Sequence, residues 1–251
     1  MRNKLKRFYI LSGLIFNILT VSFSSVLAEG FIGDNFSADS HAPGFEQIEV
    51  QEQIKSQNEV SEKYFNMKRS QRLQKFYGNI QPYSYDSKRL NVPLRQQEET
   101  YYCGPASAQM TILYLQGQSP TQRTLASNMG TDKTGTMVYR LAQELNKYSR
   151  YEYTNTDSSN FVNDLIYSID KGKPIIAHVR ASSLPHSPGA GSGHFIVNTG
   201  YLWGMSGSSS EDIVYYNDPH YKNEYYGKYS CTWSQMVKAI DDRLGYYIRG
   251  I

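Results

Sequence analysis

One short stretch limits what this chain can fold into more than any other: Gln97-Glu98-Glu99-Thr100-Tyr101-Tyr102-Cys103-Gly104-Pro105. An apolar helical pattern, Ala106 to Leu115, follows at once. Proline is tolerated in a first helical turn because its missing N–H has no intrahelical partner there. The pattern therefore puts Cys103 where a loop becomes a helix. Helix N-termini offer partial positive charge and free N–H groups, which favour a thiolate. The plainer reading of a lone cysteine is a small buried hydrophobe or half of a disulfide. Cys231, the only other cysteine, keeps that plainer reading, and a bond between the two would silence the thiol.

The segments around this point predict an α+β domain from about Lys88 to Ile251. Leu90 to Leu94 reads as an entry strand. Helices are expected from Gly104 to Gln116, from Ser119 to Met129, from Thr136 to Lys147 and from Ser158 to Ile169, the last with Phe161, Leu165 and Ile169 on one stripe. A short strand is expected at Tyr151 to Thr154. The second half changes character. Pro174 to Val179, His194 to Tyr201 and Ile213 to Pro219 read as strands. Loops join them, and the last run leads into a polar, tyrosine-rich loop. A helix over Ser230 to Ile240 and a strand over Tyr246 to Ile251 complete the chain. Helices first and antiparallel strands after is an α+β order.

Thiol attack on an amide requires a base, an orienting group and an oxyanion donor. His194 is the candidate base: it begins a strand after Gly189-Ala190-Gly191-Ser192-Gly193. Asp218, at the end of the next strand, is the candidate orienter, with Asn217 as the alternative. Strand alternation lets only one of them face the site. Gln97 is the candidate oxyanion donor, with Gln96 as the alternative register. Among the other histidines, His178 lies inside an apolar strand and reads as structural. His186 sits in a loop between prolines, His220 could line the cleft, and His41 reads as surface. No Cys or His pair has zinc-ligand spacing, and no cofactor motif is present.

Upstream of this domain the chain differs in kind. Residues 1–28 carry four cations and no acids, then the mostly apolar run Phe8 to Val21, then Val26-Leu27-Ala28. This is the pattern of a secretory signal cut after Ala28. It implies a secreted or cell-surface protein that meets a membrane only through this segment, if uncut. Without it the chain holds 22 cations against 23 acids, which is no footprint for nucleic acid. Residues 29–88 are polar. Ile48, Ile54, Val60, Phe65, Met67, Leu73 and Phe76 match a helical stripe poorly. The segment reads as a solvated helical or disordered arm, or as a pro-segment over the active site.

These residues carry a resemblance. Val92-Pro93-Leu94, Gln97, Cys103-Gly104-Pro105, Lys173 to Val179, Gly193 to Val197 and Val214 to Pro219 resemble the bacteriocin-processing peptidases of bacteria, cysteine peptidase family 39. The closest likeness is to secreted, stand-alone members, and it spans Leu90 to about Ile240. It implies a papain-like fold in residues 89–251, with a helical N-terminal half and an antiparallel C-terminal sheet. It implies a thiol peptidase acting on a peptide or protein, with Gln97, Cys103, His194 and Asp218 in the roles given above. The alternatives are an amidase or transpeptidase on cell-wall peptide, or a catalytically silent binding module.

Overall fold

The computed structural model describes residues 48–78, 85–154, 158–187, 193–204 and 212–251. The signal segment, the linker up to Gly44, the start of the Asn79 to Ser87 boundary, Gly189 to Ser192 and most of the Gly204 to Asp212 turn lie outside these residues.

Six helices and seven strands are described. They are α1 (Ile48–Gly78), β1 (Asp86–Arg89), α2 (Cys103–Gln116), α3 (Gln122–Met129), α4 (Val138–Leu145), β2 (Tyr151–Tyr153), α5 (Phe161–Asp170), β3 (Ile175–Arg180), β4 (Gly193–Trp203), β5 (Ile213–Asp218), β6 (Gly227–Thr232), α6 (Trp233–Asp241) and β7 (Tyr247–Gly250). All described pairings are antiparallel, in the order β2-β7-β3-β4-β5-β6, with β1 also on β4. The α+β expectation therefore holds. Its local logic is visible at the helix ends. Thr121 caps α3 by accepting from the Thr124 N–H at 3.2 Å. Thr232 and Gln235 cap α6 reciprocally, satisfying two otherwise orphaned N–H groups.

The long strand β4 organises the sheet. Its first half pairs with β3 and its end with β1. Its pairing with β5 is irregular between Asn198 and Gly200. Gly200 is required there, because a Cβ would sit 2.4 Å from the Lys88 carbonyl oxygen. The core lies where α2, α4 and α5 meet this sheet. Met110, Ile112, Leu141, Leu145, Phe161, Leu165, Ile176 and Val197 are buried there.

Three local expectations need correction. Leu90 to Leu94 forms no strand: Leu90 N–H donates to Thr199 O at 2.7 Å, and the segment lies along the sheet without a ladder. The polar loop after β5 contains β6, a strand at the end of the sheet order with half-exposed polar residues and so no apolar run to announce it. The final helix consequently begins at Trp233, three residues later than the sequence pattern suggests.

Helix α1 packs against α5 and the end of β4. Ile54 and Ser61 are buried, Phe65 stacks on Trp203 at 4.5 Å, and Arg72 lies 4.0 Å over the same indole. Lys68 pairs with Asp170 at 2.6 Å and Asp86 at 2.8 Å. Val60, Met67 and Leu73 are exposed. The docking face is thus largely polar, which is why no apolar stripe marks it in the sequence.

Candidate active site

Cys103 opens α2, half-buried at the wall of a cleft of about 270 Å³. Gln97, Tyr101, His194, His220 and Tyr225 share that wall, and none of the described residues of α1 does. The helix start is held from behind. Gly104 faces Thr136 so closely that a Cβ would lie 2.4 Å from its Oγ1. Gly104→Ala is therefore expected to shift the first turn of α2 and to cost about 1–3 kcal/mol, read as a lowered thermal midpoint. A wild-type melt would contradict this account of the turn.

The structure brings Cys103, His194 and Asp218 together. His194 is buried as the second residue of β4, and its Nε2 lies 2.7 Å from Asp218 Oδ1. The Cys103 thiol shares the cleft wall with this ring. With Nε2 on the carboxylate, Nδ1 is the nitrogen left for the thiol. Burial pulls the His194 ring down, but the charge and hydrogen bond of Asp218, and then those of Cys103, outweigh it and raise it to about 10. Burial would likewise raise Asp218. The charge of His194 and hydrogen bonds from His186, His194 and the His220 N–H instead hold it well below the usual carboxylate range. The arrangement can hold an imidazolium beside a sulfur.

The two paired alternatives separate cleanly. Asn217 points away and donates from Nδ2 to Val92 O at 3.1 Å. Strand alternation puts Asp218, and not Asn217, on His194. Gln97 lines the cleft beside Cys103 and is buried. Its Nε2 donates to Glu99 O at 2.8 Å, which leaves the second amide hydrogen free, while Oε1 finds no hydrogen-bond partner among the described residues. Gln96 turns elsewhere, donating to Tyr221 O at 3.0 Å and Asn223 Oδ1 at 2.9 Å. It fastens the loop after β5 to the segment before α2. The buried Gln122 braces that segment too, donating to Gln96 O at 2.8 Å and accepting from Glu98 N–H at 3.0 Å. Gln122 carried no sequence signal, since a lone glutamine in a helix reads as surface.

The other histidines differ. His178 is buried in β3 and stacks on Phe195 at 4.5 Å, and burial, followed by the charges of Arg243 and His194, pushes it well down. His220 lines the cleft, and burial with the charge of His194 pushes it down to about 4. His186 contacts the second oxygen of Asp218, which its position between prolines did not suggest. Both cysteines are free thiols. Cys231 is buried in β6, where burial raises it to about 12.

Residues 89–240 match the Peptidase_C39 like family. Solved structures similar to the chain include a C39-like peptidase from Bacillus anthracis, at 18% identity over 66% of this chain and 98% of that one, with a TM-score of 0.48. The peptidase domain of Streptococcus ComA matches at 18% identity over 63% and 96%, with a TM-score of 0.44. The bromelain protease of Ananas comosus matches at 12% identity over 65% and 97%, with a TM-score of 0.46. Comparison with curated protein sequences finds no match.

Proposed function

For a chain that belongs to the Peptidase_C39 like family, and is thereby a papain-like cysteine peptidase, we propose an exported enzyme that hydrolyses peptide bonds through Cys103, His194 and Asp218. The observation that carries this reading is the short His194–Asp218 contact beside the Cys103 thiol in an open cleft. The Cys103 thiolate adds to the scissile carbonyl, and the C=O electrons move to oxygen. The backbone N–H of Cys103 and the free amide hydrogen of Gln97 are the donors for that oxyanion. His194, as imidazolium, gives its Nδ1 proton to the departing amine, leaving a thioester on Cys103. Neutral His194 then takes a proton from water as it attacks. Collapse releases the acid, and the thiolate–imidazolium pair returns. Asp218 keeps the ring oriented and its charge compensated.

Peptide is the substrate class this cleft suits, because tyrosines (Tyr101, Tyr221, Tyr225) and small residues (Gly135, Ala181, Gly193) line it around the thiol. Export rests on residues 1–28, and mass spectrometry of the secreted protein is expected to find Glu29 at its N-terminus. The thiol itself is tested with iodoacetamide at pH 7. Cys103 is expected to label in the folded protein at least tenfold faster than Cys231, which is buried. Cys103→Ala is expected to lose all peptide hydrolysis. A thiol that fails to label, together with an indifferent Cys103→Ala, would overturn the enzyme reading and leave a binding module.

A further inference from the structure

The carboxylate of Asp218 is shared. Its Oδ1 accepts from His194 Nε2 at 2.7 Å and from the His220 N–H at 2.8 Å. Its Oδ2 accepts from a second imidazole, His186 Nε2, at 2.9 Å. The carboxylate is fully buried and His186 largely so. The other His186 nitrogen, Nδ1, lies 2.9 Å from the Tyr216 hydroxyl, and the ring stacks on Tyr229 at 3.7 Å between centroids.

We infer that His186 is a positioning residue of the active site, which fixes the plane of the Asp218 carboxylate and through it the His194 ring. This rests on the catalytic reading above. The hydrogen placement follows from the partners. An ionised carboxylate only accepts, so His186 Nε2 carries a hydrogen. In the neutral ring Nδ1 is then the acceptor, and the Tyr216 hydroxyl donates to it. Burial keeps Tyr216 protonated and able to do so. The result is one directed chain: Tyr216 to His186, His186 to Asp218 Oδ2, and His194 to Asp218 Oδ1.

The geometry gives this chain a purpose. A carboxylate held at one oxygen alone can swing about its Cβ–Cγ bond. Held at both oxygens by rings from different parts of the chain, it cannot. His186 comes from the loop after β3, His194 from β4, and Tyr229 from β6 on the far side of β5. The loop after β3 is thereby tied to the catalytic base. A ring that must face a thiol within a hydrogen-bond length loses much of its effect when it tilts.

The test uses the full chain and the rate of Cys103 alkylation by iodoacetamide, which needs no known substrate. His186→Ala is expected to slow labelling about tenfold. His186→Gln, whose Nε2 stands near the position of the imidazole Nε2, supplies a neutral donor to Asp218 and is expected to restore the rate to within about threefold of wild type. Labelling of His186→Ala at the wild-type rate overturns the inference. So does a folded His186→Gln as slow as His186→Ala, since stacking alone would then account for the ring. Should His186→Ala not fold, Tyr216→Phe carries the test: it removes only the hydroxyl on Nδ1, a contact His186→Gln also lacks, and is expected to slow labelling by about twofold to threefold, and an unchanged rate overturns the chain. The two readings fail differently. If wild-type Cys103 does not label, the catalytic assignment falls. If it labels normally and the His186 variants do not differ from it, only the role of His186 falls.

Discussion

In an Asp218→Asn variant the His194 ring is expected to lose its proton at least one pH unit below the wild-type value of about 10, followed by NMR titration of the ring. Burial is the largest influence on this ring and acts downward; the charge of Asp218 is the main force against it. The amide keeps the shape of the carboxylate and removes its charge. Peptide hydrolysis at neutral pH is expected to fall by about 10²–10⁴-fold, because the ring loses the carboxylate that orients it and compensates its charge as it passes its proton to the leaving amine. The same pair makes stability depend on pH in a definite sense. The native value of His194 is raised, so its contribution is complete below its ordinary value of 6.5 and is lost as pH climbs toward about 10. The native value of Asp218 is depressed, so its contribution is present above its ordinary 3.8 and is lost as pH falls below that. The wild-type thermal midpoint should therefore carry the pair's full contribution between those ordinary values and fall on both sides, and Asp218→Asn should flatten both slopes. An unchanged His194 titration in the variant would sink this account of the base.

The largest expected loss of stability comes from Arg249→Met. Arg249 is fully buried in β7 and pairs with Asp164 at 2.8 Å and Glu152 at 3.2 Å. It also donates to Ile54 O at 3.1 Å and to Asn58, both in α1. Asp164, itself fully buried, accepts from the Tyr247 hydroxyl at 2.6 Å. Removing the guanidinium leaves two buried carboxylates without their cation, where burial already raises Glu152 against the pull of Arg249. Breaking a buried pair in this way costs about 3–5 kcal/mol, a fall of roughly 10 °C in the midpoint for a domain of this size. Because Arg249 also holds α1, limited proteolysis should cut within residues 48–78 sooner in the variant. Combining it with Asp164→Asn should recover part of the loss, since the stranded charge is then removed. A midpoint within two degrees of wild type, by the same scan, would show that the network is not holding the fold.

The α+β order could be read from the chain because each element announces itself locally. α5 shows its stripe in Phe161, Leu165 and Ile169, all buried. β3 and β4 show theirs as short apolar runs, Ile175 to Ala177 and Phe195 to Val197, buried in the sheet. What could not be read depends on contacts made across the fold. β6 is a terminal strand whose exposed positions carry Lys228 and Ser230, so nothing in its composition separates it from a loop. The docking of α1 rests on Lys68, Arg72 and the stacking of Phe65 on Trp203, which a search for apolar periodicity passes over.

The candidate site divides along the same line. Three features are legible along the chain: a thiol at a helix start, a histidine that follows a glycine-rich loop into a strand, and an Asn-Asp pair that ends the next strand. These are properties of neighbours along the chain, governed by local propensity and turn chemistry. Which member of each pair faces the cleft depends on contacts between distant segments. Strand phase set Asp218 on His194 and turned Asn217 to Val92. Contacts between the segment before α2 and the loop after β5 sent Gln96 outward and left Gln97 beside Cys103. The place of His186 was decided in the same way: it stands thirty-two positions from Asp218 in the chain, and only packing across the sheet closes that distance to a hydrogen bond.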